Sequence, residues 1–211
     1  MNDTSSSLCS KVVLIGETGV GKTAIISRFI RDSFLEGQEP STMASYISKE
    51  ILIEQFNIHL KLDIWDTAGQ EKYRSLTKFF YKDAAIAILV YDVTNKSSFT
   101  ELSEYWTHQL MECGSENLII GIAGNKCDMV NEESVNESEA KELATKIGAT
   151  FQLTSAKTNI GIDTLFQKLG ERFLVLNNIE HNKDDDSAAN RKRGASKLDN
   201  RVRKKKKKCC D

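Results

Sequence analysis

Gly16-Glu17-Thr18-Gly19-Val20-Gly21-Lys22-Thr23 follows an apolar run at 12–15 and opens a helix-length segment over 22–32. It is a full G-x-x-x-x-G-K-[ST] match set between strand and helix, the context in which the pattern means a phosphate-binding loop. Glycines let the backbone curl until its N–H groups face phosphate oxygens, and the helix N-terminus behind them adds positive potential. Lys22 can reach the β- and γ-phosphates of a nucleotide, and the Thr23 hydroxyl can ligate Mg²⁺. The competing reading is a Gly-rich turn with a chance lysine. Correct flanks on both sides count against it.

Outward from this loop, from 11 to about 176, short apolar runs alternate with longer amphipathic stretches. Residues 12–15, 61–65, 86–91, 118–123 and 151–153 are mostly apolar, as buried strands should be. Helix-length segments lie at 22–32, 98–113, 137–147 and 161–176. In the last, Ile162, Leu165, Phe166, Leu169 and Phe173 recur at helical spacing and give one apolar face. Alternating strands and helices predict an α/β fold around a mainly parallel sheet. Residues 47 to about 64, with a polar break near 54–57, read as an antiparallel hairpin added to it.

A phosphate-binding loop alone leaves kinases, ATPases and GTPases open. Asn125-Lys126-Cys127-Asp128, just past a strand, decides among them. A carboxylate there can accept from both the ring N–H and the exocyclic amine of guanine. Adenine offers no such donor pair and would leave the carboxylate unpaired at a cost. In Ser155-Ala156-Lys157, again past a strand, a backbone N–H can hold the guanine carbonyl. Each short stretch alone is weak, because Asn and Asp are ordinary loop formers; their order and strand-end positions make the combination strong. Asp66-Thr67-Ala68-Gly69-Gln70 follows another strand. There Asp66 can hold a Mg²⁺-bound water, the Gly69 N–H can touch the γ-phosphate, and Gln70 can orient the attacking water.

Together these four stretches resemble the Ras superfamily over residues 11–176, and within it the Rab GTPases. The Rab-type segments are Lys61-Leu62-Asp63-Ile64-Trp65, Lys72-Tyr73-Arg74-Ser75-Leu76-Thr77, Phe80-Tyr81-Lys82-Asp83-Ala84 and the stretch from Leu89 through Phe99. The resemblance implies a small G domain of the P-loop NTPase class, with a six-stranded, mostly parallel sheet and about five helices. It implies a GTP/GDP switch acting in vesicle trafficking with Mg²⁺. Glu17, Thr18, Gly19, Val20, Gly21, Lys22, Thr23 and Ala24 would hold the nucleotide, with Phe34 beside the base and Asn125, Lys126, Asp128, Ser155, Ala156 and Lys157 around it. Thr23, Ser41 and Asp66 would serve the metal; Gln70, Lys22 and Gly69 would serve hydrolysis. Counting from both sides puts Ser41 where the family's first switch loop carries threonine, and a one-residue shift makes it Thr42. Met43 stands at the usual glycine, and the hairpin is about two residues longer than the family norm. The family also implies an aromatic effector surface from Tyr46, Trp65 and Phe80. No arginine of either switch loop is placed as a finger, so an activating protein would supply one in trans, and an exchange factor would release GDP. Ala44-Ser45-Tyr46 and Lys49 resemble the early-endosomal branch.

The net charge of -1 hides an asymmetry: residues 191–208 hold 11 of the 29 Lys and Arg with one acid, Asp199, while residues 1–190 hold 18 basic and 28 acidic residues. An acidic body with a basic tail suggests two jobs in two places. The basic run ends in Cys209-Cys210-Asp211, which is not a C-a-a-X box because only two residues follow Cys209. It resembles the Rab di-cysteine ending, geranylgeranylated after an escort protein presents the folded domain, with a dissociation inhibitor shielding the lipids in the cytosol. The competing reading of a Lys run, a nuclear or nucleic-acid tail, yields to the cysteine pair. The expectation is therefore a cytosolic protein that reaches the cytoplasmic face of an intracellular membrane, with no nucleic-acid partner. Residues 1–10 read as a flexible, Ser-rich N-terminus with no secretory h-region, and 177–211 as a disordered tail. Five scattered cysteines fit neither a disulfide framework nor a zinc spacing.

Overall fold

The computed structural model describes residues 8–37, 45–67 and 81–179. Six strands, β1 (Leu8–Ile15), β2 (Ser45–Ile53), β3 (Ile58–Asp66), β4 (Ile86–Asp92), β5 (Ile119–Asn125) and β6 (Thr150–Leu153), form one sheet in the order β2-β3-β1-β4-β5-β6. Only β2 runs antiparallel, paired with β3 through the turn at 54–57. The other pairings are parallel. The helices are α1 (Lys22–Arg31), α2 (Lys96–Glu101), α3 (Thr107–Cys113), α4 (Glu137–Lys146) and α5 (Ile162–Leu176). The expected α/β architecture is thus present.

Burial explains which run became which strand. All seven residues of central β4, Ile86–Asp92, are buried, as a parallel strand covered on both faces requires. The edge strand β2 instead alternates exposed and half-buried positions. Along β1, Val12 and Leu14 face one core with α1 and α5, while Val13 and Ile15 face the other with α2, α3 and α4. In the first core Phe29 of α1 stacks on Phe166 of α5, centroids 3.7 Å apart and planes 9° from parallel.

Most boundaries shift by one to three residues from the sequence reading, and two differences are more substantial. β1 takes in Leu8, Cys9 and Ser10, ahead of residue 11, because they pair with Leu60, Lys61 and Leu62 of β3. The segment read as a helix over 98–113 starts at Lys96, capped by the Asn95 side chain, and holds a π-turn, Leu102–Trp106, between α2 and α3. There Thr107 Oγ1 donates to the Leu102 carbonyl at 2.8 Å. One extra residue in a helical turn rotates everything after it, and such turns often sit at functional sites.

Candidate functional site

Every parallel strand delivers its carboxyl end to the same side of the sheet, where ligands of open α/β sheets bind. The phosphate-loop residues connect β1 to α1 there. Gly16, Gly19 and Gly21 have φ of 152°, 80° and 96°. A Cβ on Gly16 would lie 2.2 Å from the Val90 carbonyl oxygen, and one on Gly21 would lie 2.3 Å from Asn125 Nδ2. These two glycines are required by close approach as well as by conformation. Lys22 is buried, and its Nζ donates to the carbonyls of Gly16 at 2.9 Å and Glu17 at 2.8 Å, folding the loop over itself. Burial lowers its pKa to about 8, against the attraction of Asp66 and Glu17. Two outside anchors hold the loop: Asn125 Nδ2 donates to the Val20 carbonyl at 2.8 Å, and Trp106 Nε1 to Glu17 Oε1 at 3.2 Å.

Asp66, the last residue of β3, meets Thr23 at the start of α1. Thr23 Oγ1 donates to Asp66 Oδ2 at 2.7 Å, while Asp66 Oδ1 is buried without a hydrogen-bond partner among the described residues. Burial pushes the Asp66 carboxyl up, opposed by the Thr23 bond and by Lys22. A buried carboxylate oxygen left over beside a hydroxyl fits a hard, oxygen-seeking cation such as Mg²⁺. Thr67 Oγ1 donates to the Leu14 carbonyl at 2.6 Å and fixes the direction in which the chain leaves β3. Ser41, Thr42, Gly69 and Gln70 lie outside the described residues, as do Phe80, Cys209 and Cys210.

A cleft of about 760 Å³ opens beside this loop, lined by Gly21, Ala24, Phe34, Asn125, Lys126, Asp128, Ala156 and Lys157. All eight are sequence-expected site residues. Glu36 and the stretch 129–132 complete the wall and carried no sequence signal. Lys126 adopts φ 67°, and its Nζ pairs with Asp92 Oδ2 at 2.6 Å. Asp92 Oδ1 in turn accepts from Thr94 N–H and hydroxyl. Ser155 Oγ donates to Asp128 Oδ1 at 2.6 Å and accepts from Thr158 N–H at 3.0 Å. Cys127 N–H reaches the Thr154 carbonyl at 3.1 Å, so the two loops past β5 and β6 are stitched to each other. Asp128 is thereby aimed, with carboxylate acceptor capacity to spare.

Arg28 was not legible as a site residue. Its Nε donates to the Ala156 carbonyl at 2.8 Å and an Nη to the Lys157 carbonyl at 3.2 Å, from the far end of α1. In the sequence it is one basic residue in a helix's last turn, indistinguishable from a dipole complement. Across the rim Lys157 Nζ meets Glu36 Oε1 at 3.2 Å. That pair is exposed, and such pairs contribute little.

On the sheet's antiparallel edge, Tyr46 is 52% exposed and its ring lies 5.3 Å from that of Trp65. Tyr46 Oη donates to Asp63 Oδ1 at 2.8 Å. Two of the three aromatics expected to form a surface are therefore neighbours, Tyr46 exposed and Trp65 partly buried and packed against the second core.

Comparison with known proteins agrees with this geometry. A family profile described as the Ras family matches residues 11–174. Ras-related protein Rab-22A of Homo sapiens is 43% identical over 162 residues, covering 77% of this chain and 82% of its own. Ras-related protein Rab5A of Oryza sativa subsp. japonica is 41% identical over 165 residues, covering 78% and 80%. Ras-related protein Rab-31 of Rattus norvegicus is 40% identical over 200 residues, covering 95% and 96%. The chain belongs to the Ras family and, within it, to the Rab small GTPases: a guanine-nucleotide switch of vesicle trafficking that binds GTP or GDP with Mg²⁺, hydrolyses GTP, and works with effector and regulatory proteins.

Proposed function

We propose that the cleft beside Asp128 takes the guanine ring and that the loop from Gly16 to Thr23 takes the phosphates. The observation that carries this is the Ser155–Asp128 bond, which aims one carboxylate into a cleft walled by Phe34, Lys126 and Ala156. The carboxylate accepts from the ring N–H and amine of guanine, the Ala156 N–H meets its carbonyl, and Phe34 covers its edge. Lys22 exchanges its loop carbonyls for β- and γ-phosphate oxygens. Thr23, Asp66 and Ser41 would hold the metal. Bound Mg²⁺ neutralises charge gathering on the phosphates during transfer. Gln70 orients the attacking water and the Gly69 N–H meets the γ-phosphate. Unaided turnover is slow, on the order of 10⁻⁴ s⁻¹ in such sites, because the transition-state charge is under-compensated until an arginine arrives in trans.

The switch works at a membrane. Cys209 and Cys210 carry prenyl chains, delivered by an escort protein and shielded in the cytosol by a dissociation inhibitor. Two chains anchor where one is marginal, since each buried methylene contributes about 0.8 kcal/mol. The similarity to Rab5A, Rab-22A and Rab-31 supports an endosomal membrane. Tyr46, Trp65 and Phe80 form the effector surface.

Asp128→Asn tests the base assignment. An amide donates where the carboxylate accepted, so guanine affinity should fall roughly a hundredfold or more, the loss of two charge-assisted bonds. Affinity for xanthosine diphosphate, whose 2-oxo group accepts, should rise. Unchanged GDP binding in competition titrations refutes the assignment.

A further inference from the structure

We propose that Arg28 is a positioning residue for the guanine base: from the last turn of α1 it clamps the loop whose Ala156 N–H meets the base carbonyl. The inference rests on the assignment of Ser155-Ala156-Lys157 to the base and goes beyond it.

Past Thr154, whose N–H donates to the Gly124 carbonyl at 2.8 Å, that loop has little sheet support. β6 ends at Leu153, and beyond it Ser155 pairs only with Ile160 in an isolated bridge. On one side of Ala156 the chain is fixed by Ser155, whose Oγ holds Asp128 and Thr158 N–H. On the other side Arg28 grips two successive carbonyls, Nε on Ala156 at 2.8 Å and Nη on Lys157 at 3.2 Å. A planar guanidinium presents donors in a fixed fork, so two bonds to one short loop set its orientation as well as its distance. The side chain as a whole is 14% exposed, and its bond to Ala156 is more sheltered than the one to Lys157.

The other half of the fork faces its own helix. The second Nη donates to the carbonyl and the carboxylate of Asp32, at 2.9 and 3.0 Å. Asp32 ends α1 in the left-handed conformation at φ 50°, and Asn159 Nδ2 reaches its carboxylate at 3.4 Å. A non-glycine residue held there needs outside support. Arg28 gives that support two residues before Phe34, which lines the same cleft. One guanidinium therefore sets both the edge that meets the base carbonyl and the stem of the residue that covers the ring.

Arg28→Lys keeps the charge and loses the fork; Arg28→Gln loses both. The control is Arg172→Lys, which breaks a comparable grip on the Gly148 carbonyl and Thr150 hydroxyl at the end of the sheet away from the cleft's loops. The probes are GDP and the diphosphate of 2-aminopurine riboside, whose base lacks guanine's 6-oxo group and with it the N1 proton, competed against a fluorescent GDP on the full-length protein. Wild type should prefer GDP strongly. In both Arg28 variants that preference should shrink by up to about tenfold, one neutral hydrogen bond's worth, and GDP should dissociate faster. Arg172→Lys should leave the preference intact at a similar melting temperature. A preference unchanged in the Arg28 variants, or reduced as much by Arg172→Lys, overturns the positioning role. A wild type that does not distinguish the two bases overturns the base assignment and the inference with it.

Discussion

Lys22 is a cation buried among carbonyls, its pKa drawn down to about 8 from an ordinary 10.5 because desolvation outweighs Asp66 and Glu17. Two consequences of opposite sign follow from that one number. Between pH 8 and 10.5 the nucleotide-free native protein has shed a proton that the unfolded chain still holds, so its stability rises with pH across that window. Phosphate oxygens favour the charged form, so above pH 8 nucleotide binding must take up a proton, and affinity should fall by up to about tenfold per pH unit. Calorimetric titration of GDP in buffers of different ionisation heat would show uptake near one proton at pH 9 and little at pH 7. The residues of this site were unevenly legible. Lys22, Asp66 and Asp128 stand in patterns whose spacing is itself the chemistry. Arg28 acts across 128 residues of sequence separation, through backbone carbonyls that carry no side-chain signature, so no local pattern could name it. Glu36 and Met129 reach the cleft only because the loops around them fold that way.

At the scale of elements, α5 is the support under the base loop. Phe166 is 1% exposed and stacked on Phe29 of α1, so this one contact joins the helix behind the phosphates to the helix behind Ser155-Ala156-Lys157. Truncation by Phe166→Ala should cost about 3–5 kcal/mol in denaturant unfolding, a large-to-small cavity in a packed core. The α5 face was visible in the sequence because its apolar residues recur at helical spacing, and β4 because it is apolar from Ile86 to Val90. The π-turn at Leu102–Trp106 was not, since Thr107 bonding back to Leu102 leaves the residue pattern of an ordinary helix. The early start of β1 was hidden for a different reason: Cys9 is exposed and Ser10 polar, and only pairing with β3 makes them strand. Gly16→Ala belongs to this scale too. The methyl would press on the Val90 carbonyl at the junction of β1 and β4, and should destabilise the domain by about 1–3 kcal/mol while weakening nucleotide retention.

For the whole molecule, site and fold share one set of contacts: the loops that would hold nucleotide are also those that stitch β1, β5 and β6 together at their carboxyl ends. Ligand and fold must then rise and fall together. GDP with Mg²⁺ at a thousand times its dissociation constant should add about 4.1 kcal/mol to unfolding stability, and chelation of the metal should remove part of that gain. A melting temperature indifferent to both would mean that the native protein does not bind the nucleotide or the metal in preference to the unfolded chain. The Trp106–Glu17 bond gives this coupling an optical outlet. The chain has two tryptophans, Trp65 on the aromatic edge and Trp106 buried against the phosphate loop. With Trp65→Phe, the remaining indole becomes a built-in fluorophore whose emission reads the phosphate loop directly, so filling and emptying of the switch can be followed in real time with unlabelled nucleotide.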